Sequence, residues 1–186
     1  MRALLTLMFL LSFRLILVGQ DEAKTGIIYG KNHAFSLTAP EGWVLDNKSG
    51  VSQGLYAVFY RKGESWAKAE TVMYANTASL MDKKHTTLEQ LIEYDLDNFK
   101  SNYADIVITD GKEILIREGV TASVKYLSGK SYGNHEAVGY IDAGKTGIMI
   151  IMTSRTKEGF ENALAAFGDL VKSYFFMADE VVIDKK

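Results

Sequence analysis

The nine residues Phe35-Ser-Leu-Thr-Ala-Pro-Glu-Gly-Trp43 decide the fold class of this chain. Phe35 and Leu37 alternate with smaller or polar neighbours, which is the two-residue period of a half-buried strand. The tripeptide Pro40-Glu-Gly42 then supplies a tight turn, and extended sequence resumes at Trp43. We therefore expect a strand, a turn and a second strand, with Trp43 in the core of the protein.

More β-rich sequence follows this unit. The runs 55–61 and 69–76 flank a polar loop at 62–66 and predict a hairpin. Further alternating segments, which predict a meander of antiparallel strands, lie at 105–109, 113–117, 120–127, 135–142 and 146–153. Between the first two of these segments, Asp110-Gly111 predicts a tight hairpin turn, because glycine tolerates a positive φ.

Two helices are predicted within this order of strands. Thr87-Leu-Glu-Gln90 fits a capping box, in which Thr87 accepts from the amide of Gln90 and Gln90 reaches back to the amide of Thr87. Apolar residues then recur at helical spacing up to Tyr103. A second helix is predicted over 158–177, with Thr156 as its N-cap. The pattern indicates an α+β fold, an antiparallel β-sheet packed against two main helices.

The strand and turn from Phe35 to Trp43, together with this order of elements, resemble the PsbP-like superfamily over most of residues 35–177. That superfamily includes photosystem II accessory subunits, a Ran-binding nuclear import factor and bacterial envelope proteins. The resemblance implies an α/β/α sandwich and a non-enzymatic docking or accessory role. It supplies no shared catalytic residues, and nothing in this chain points to a thylakoid destination.

The first residues read as a targeting segment. Arg2 followed by a mostly apolar run over 3–18 predicts a secretory signal peptide at 1–20, with cleavage expected after Gly19. An uncleaved membrane anchor is the alternative, although a bilayer span takes about 20 apolar residues and Arg14 would be costly within it. We expect one domain at 26–180, located in the periplasm or outside the cell, with no membrane span once the leader is removed.

Composition excludes several classes of function. The chain of 186 residues contains no cysteine, so disulfides, thiolate nucleophiles and cysteine metal clusters are impossible. Without Arg2 and Arg14, 19 basic and 23 acidic residues remain, a net charge of −4. The lysines are spread along the sequence, whereas nucleic-acid binding calls for a clustered basic face. We therefore expect no nucleic-acid partner.

The segment Gly139-Tyr-Ile-Asp-Ala-Gly144-Lys145-Thr146 matches the letters of a phosphate-binding loop. Such a loop needs a helix that begins near the lysine, because backbone amides at the helix N-terminus hold the phosphates. Here Thr146 opens an apolar, β-branched run that predicts a strand. We therefore predict a hairpin turn at Gly144-Lys145 and no nucleotide cofactor.

The sequence offers no recognisable catalytic or metal-binding constellation. His33, His85 and His135 fall on different predicted elements and lack the spacing of a local zinc site. No nucleophile elbow is present. We therefore predict no catalytic, cofactor-binding or metal-binding residues.

Two loop aromatics are the predicted partner-binding residues. Trp66 lies in the 62–66 loop and Tyr132 lies in a polar loop at 128–134, and exposed Trp and Tyr are typical anchors of protein interfaces. Alternatively, Trp66 folds back over the sheet. The sequence thus favours a secreted or periplasmic, non-enzymatic binding or accessory module for another envelope protein. The alternative is a small-ligand-binding protein or hydrolase that uses a sheet–helix cleft, which would gather at least two histidines and a carboxylate in one polar pocket.

Overall fold

The computed structural model describes residues 24–181, which form eleven β-strands and two α-helices. In chain order the elements are β1 (Thr25–Gly30), β2 (His33–Thr38), β3 (Trp43–Asp46), β4 (Val58–Arg61), β5 (Thr71–Ser79), α1 (Leu88–Asn102), β6 (Val107–Asp110), β7 (Ile114–Leu115), β8 (Thr121–Ser128), β9 (His135–Asp142), β10 (Thr146–Ser154), α2 (Lys157–Lys172) and β11 (Phe175–Ala178). The predicted signal peptide at 1–20 lies outside the described residues. None of the helices within 24–181 is long and apolar enough to cross a membrane.

A large antiparallel sheet forms the middle layer. Its strands follow one another in the order β3-β4-β5-β10-β9-β8-β6, and β7 pairs with β8 beside β6. The longest pairing in this sheet joins β5 to β10, from Thr71 opposite Ser154 to Ser79 opposite Thr146. The predicted α+β fold, an antiparallel sheet between helices, is confirmed.

The sheet has an apolar core on each face. On one face, α1 covers Leu127, Val138, Tyr140 and Ile151. On the other face, α2 and a small second sheet cover a larger core that includes Phe59, Met73, Ile148 and Ile150. Both faces of the central strands are therefore buried, and β9 and β10 read as nearly continuous apolar runs.

The strand and turn at 35–43 form as predicted. Phe35 and Leu37 are fully buried in the larger core, and Trp43 is buried there too. Gly42 adopts a φ of 78°, and the amide of Trp43 donates to the carbonyl of Pro40 at 3.0 Å, which closes the turn.

The second, three-stranded sheet was only partly predicted. Its order is β1-β2-β11, with β2 in the middle. The sequence pattern predicts β2 but no strand at 25–30. The predicted extension of the second helix to Met177 is wrong, because α2 ends at Lys172 and residues 175–178 pair with β2. Ser173 caps the helix by donating its hydroxyl to Leu170 O, and it also accepts the amide of Thr38, so the chain leaves the helix at a contact with β2.

Helix α1 begins at the predicted cap with one difference. The side chain of Thr87 accepts the amide of Gln90 at 3.3 Å. However, the Gln90 side chain accepts from the amide and hydroxyl of Thr86 rather than from the amide of Thr87. The hydrogen bond from the Gln90 side chain back to the start of the helix is therefore made one residue earlier than in a standard capping box.

The predicted hairpin at Asp110-Gly111 does not form. Strands β6 and β7 do not pair with each other; both run antiparallel to β8, with Asp110 opposite Lys125 and Ile114 opposite Ala122. Glycine is required at position 111, between β6 and β7, because Val124 lies very close to the backbone there. A Cβ at this position would be 2.6 Å from Val124 Cγ1. The chain reverses instead near Gly119, whose φ is 79°.

Candidate functional site

Strand β9 carries one buried carboxylate in an otherwise apolar run. Successive side chains of a strand point to opposite faces of the sheet. Val138 and Tyr140 belong to the core beneath α1, so Glu136 points to that same face. Glu136 is only 5 % exposed, and a carboxylate this deeply buried needs hydrogen-bond donors.

Two hydroxyls supply those donors. Thr153 of β10, directly opposite Glu136 in the strand register, donates from Oγ1 to Glu136 Oε2 at 2.6 Å. Tyr132, in the loop that precedes β9, donates its phenol to the same oxygen at 2.7 Å. The sheet register and a short loop thus bring both donors to one carboxylate oxygen.

A second carboxylate lies nearby on α1. Asp95 accepts a hydrogen bond from the phenol of Tyr140, and its charge acts on Glu136. Tyr74 of β5 completes the group through a hydrogen bond with Thr153. We call these residues the carboxylate cluster: Tyr74, Asp95, Tyr132, Glu136, Tyr140 and Thr153.

The cluster favours protonated side chains. Burial raises the pKa of Glu136, the hydrogen bonds from Thr153 and Tyr132 oppose this rise, and the charge of Asp95 adds to it. Burial likewise raises the pKa of Asp95, opposed by the bond from Tyr140. Burial, together with the charge of Glu136, raises the pKa of Tyr74 to about 12.

Raised carboxyl pKa values occur at catalytic acids, but an acid must also reach a substrate. Glu136 is enclosed between β10, the 128–134 loop and α1. Three surface clefts of residues 24–181 are lined by other side chains, and neither a cluster member nor a histidine lines any of them. The geometry suits the cluster to holding its aromatic neighbours in place.

Both predicted partner-binding aromatics lie at this cluster. The ring of Tyr132 packs edge-on against Tyr103 at 4.9 Å and Phe99 at 5.6 Å between centroids. The ring of Trp66 packs edge-on against Tyr74 at 6.2 Å. Both side chains are partly buried and partly exposed. Trp66 therefore contacts the sheet through Tyr74 and remains partly exposed to solvent.

The three histidines have separate surroundings. His33 contacts Phe35 in the small sheet, and His135 contacts Phe160 of α2. His85 is buried before α1, where it contacts Tyr94 and lies 3.6 Å from Asp82. Within residues 24–181 no three histidine or acidic side chains lie together in a way that could hold a metal ion.

The segment that matches a phosphate-binding loop is a β-hairpin, as predicted. Strands β9 and β10 flank a turn in which Gly144 has a φ of 75° and the amide of Ala143 donates to the carbonyl of Thr146. Lys145 Nζ lies 3.0 Å from Asp179 Oδ2. The segment after Lys145 is strand β10 and not the helix that a phosphate-binding loop requires.

No protein-family model matches the chain, and no curated protein sequence matches it. Among solved structures it is similar to cyanobacterial PsbP (CyanoP) of Synechocystis sp. PCC 6803, with a TM-score of 0.53 and 12% identity over 86% of this chain and 96% of that one. The Ran-binding protein Mog1p of Saccharomyces cerevisiae gives a TM-score of 0.47 and 11% identity over 82% of this chain and 94% of that one. The similarity to CyanoP confirms the resemblance seen in the sequence: this chain has a PsbP-like fold.

Proposed function

We propose that this protein is a non-enzymatic accessory module outside the cytoplasm, which docks to another envelope or secreted protein through Trp66 and Tyr132. The observation that carries the proposal is the arrangement of these two aromatics. They lie at opposite ends of one chain of contacts, which runs from Trp66 through Tyr74, Thr153 and Glu136 to Tyr132.

This arrangement favours docking because it orders both rings before a partner arrives. A side chain that is already held loses less conformational freedom on binding, so more of its contact energy appears as affinity. Aromatic side chains with one buried and one exposed edge are common at the centre of protein interfaces. The PsbP-like fold is consistent with this role, given the accessory subunits that share it.

The alternative function, a hydrolase or small-ligand binder, would need convergent polar groups in an accessible pocket. The three histidines are apart, and the raised-pKa carboxylate Glu136 lies away from the surface clefts. These observations favour the docking proposal over the hydrolase.

The docking proposal is tested by in-cell crosslinking of the tagged full-length chain in its native host, with mass spectrometry of captured proteins. We expect one stoichiometric partner, and a loss of capture of about tenfold or more in Trp66→Ala and Tyr132→Ala. Tyr56→Ala is the matched control, since Tyr56 is a 65 % exposed aromatic in a different loop. Undiminished capture by both variants, each with a native-like circular dichroism spectrum, would contradict the proposal.

The location is tested separately. Fractionation followed by N-terminal sequencing should recover, outside the cytoplasm, a chain that begins near Gln20. Recovery from the cytosol with Met1 intact would contradict the extracytoplasmic location and the envelope or secreted class of partner, whereas the role of Trp66 and Tyr132 in docking is judged by the capture experiment alone.

A further inference from the structure

The outer face of the small sheet carries large apolar side chains in solvent. Ile27 and Tyr29 of β1 are each 57% exposed, and Phe175 of β11 is 40% exposed. The inner face is different, because Phe35 and Leu37 of β2 are fully buried in the larger core. Apolar residues that face solvent on a strand are typical of interaction sites when they lie together.

These residues form the two walls of a groove. Ser36 of β2 is directly opposite Ile27 on one side and directly opposite Phe175 on the other, so all three side chains point outward. Ala34, opposite Tyr29, is the next outward residue of β2. The middle strand therefore contributes small side chains, and the two outer strands contribute large ones. The result is a shallow channel along β2.

One end of the channel is positively charged. A cleft of about 430 Å³ is lined there by Ser36, Thr38 and Ser173 together with Arg117 and Lys172. The guanidinium of Arg117 lies over the ring of Phe175, 5.8 Å from its centroid. Lys172 is solvent-exposed and 4.0 Å from Asp169, at the limit of an ion pair. Two cations thus lie beside the hydroxyl of Ser36 at this end of the channel, on a protein whose net charge is −2.

The open face is a better docking surface than the edge formed by β11. β11 is an edge strand, and edge strands can pair with strands of other proteins. However, the register of β11 slips between Phe176 and Ala178, and such a bulge interrupts the row of backbone groups that a new strand would need. A partner is therefore expected across the groove rather than beside β11.

We propose that this groove, formed by Ile27, Tyr29, Ala34, Ser36 and Phe175, binds an extended segment of another protein in which apolar side chains flank a carboxylate. The apolar side chains cover Ile27, Tyr29 and Phe175. The carboxylate lies between Arg117 and Lys172, where charge-assisted hydrogen bonds and the nearby hydroxyl of Ser36 replace its water. The groove and the carboxylate cluster lie on opposite sides of the large sheet, so this proposal does not depend on docking at Trp66 and Tyr132.

The test is an NMR titration of the ¹⁵N-labelled full-length chain with the blocked peptide acetyl-Val-Glu-Val-Glu-Val-amide. We expect shift changes at the amides of 34–38 and 173–176. We expect affinity to fall about tenfold or more with the glutamine analogue of the peptide, and with Arg117→Glu. Arg117→Lys should retain part of the binding, and Lys62→Glu, an exposed charge reversal in the loop after β4, should retain all of it.

Three outcomes would overturn the proposal. One is the absence of shifts at these amides with millimolar peptide. Another is equal binding of the glutamate and glutamine peptides. The third is Arg117-dependent binding to phosphatidylglycerol vesicles without any response to the peptide, which would assign the face to a lipid surface. Unchanged amide dispersion of Arg117→Glu away from the groove separates lost binding from lost folding.

Discussion

The phenol of Tyr140 lies 2.5 Å from Oδ2 of Asp95, and this hydrogen bond ties the central strand β9 to helix α1. It adds a polar contact to the apolar contacts by which Leu88 and Leu91 hold the same helix on the sheet.

Tyr140→Phe should lower the free energy of unfolding by about 1–2 kcal/mol, because it leaves a partly buried carboxylate without its donor. The double variant Tyr140→Phe with Asp95→Leu should lose less than the sum of the two single variants, since both polar partners are then absent. Urea denaturation of the four proteins measures the coupling. Strict additivity would show that the contact contributes nothing to stability.

Glu136→Gln should flatten the pH dependence of stability. Burial raises the pKa of Glu136 in the folded state. Its contribution is therefore fully present below the unfolded-state value of 4.5 and is lost as pH rises through the folded-state pKa. The amide cannot ionise, so the stability of the wild type relative to Glu136→Gln should fall between pH 4 and pH 8. A stability difference that does not change over this range contradicts the assignment.

Asp46→Asn should change the pH dependence of stability in the opposite direction. Partial burial raises the pKa of Asp46, but hydrogen bonds from Ser49, Lys48 and Tyr60 outweigh that effect and lower it to about 2. The stabilisation is present above the unfolded-state value of 3.8 and is lost as pH falls towards 2. Since Asp46 is only partly buried, we expect a loss of about 1 kcal/mol at pH 7. That loss should shrink steadily in unfolding experiments from pH 5 to pH 2, and a loss that persists at pH 2 would contradict the charge-based explanation.

Gly111→Ala should destabilise the protein by about 1–3 kcal/mol, because the new Cβ overlaps a buried, β-branched neighbour. That Cβ would lie 2.6 Å from Val124 Cγ1 and 2.9 Å from Tyr126 Cζ. Gly168→Ala is the matched control: nothing lies within 4 Å of its Cβ, and alanine in a helix should raise stability by up to about 1 kcal/mol. Thermal melts compare the two, and equal effects would show that close packing is not what requires glycine at 111.

Magnesium–ATP should leave the melting temperature unchanged. A ligand that binds the folded state raises it by mass action, and the Gly144-Lys145 hairpin offers no helix N-terminus to hold phosphates. A shift in the wild type that Lys145→Ala abolishes would restore the nucleotide hypothesis.

The amino-acid sequence predicts the structure correctly where local physics determines it. The alternation of Phe35 and Leu37, the turn before Trp43 and the Thr87 cap each depend on a few neighbouring residues. The prediction fails at β11, because apolar residues recur at helical spacing from Phe160 as far as Tyr174. Tyr174 is indeed buried, but after the helix has ended at a contact with β2. That contact joins distant residues and leaves no local signal.

The carboxylate cluster was not predicted for the same reason. Asp95 and Glu136 meet only when α1 packs on the sheet, and no motif links them in the sequence. One signal was available: Glu136 is a charged residue at the start of a run that is apolar on both faces. A charge in such a strand is buried with partners unless it lies at an exposed end. The partner-binding roles of Trp66 and Tyr132 remain predictions.

The pairing of β5 with β10 also constrains how the protein folds. Thr71 of β5 pairs with Ser154 of β10, which follows 83 residues later in the chain. The strands β5 and β10 form the middle of the large sheet. Contacts between such distant residues slow folding, because the long intervening chain must be ordered before they form. A chain truncated before residue 146 would lack β10 and leave the edge of β5 unpaired, and such an edge promotes aggregation. The large sheet is therefore expected to form only after the chain has been synthesised past Ser154, the last residue of β10.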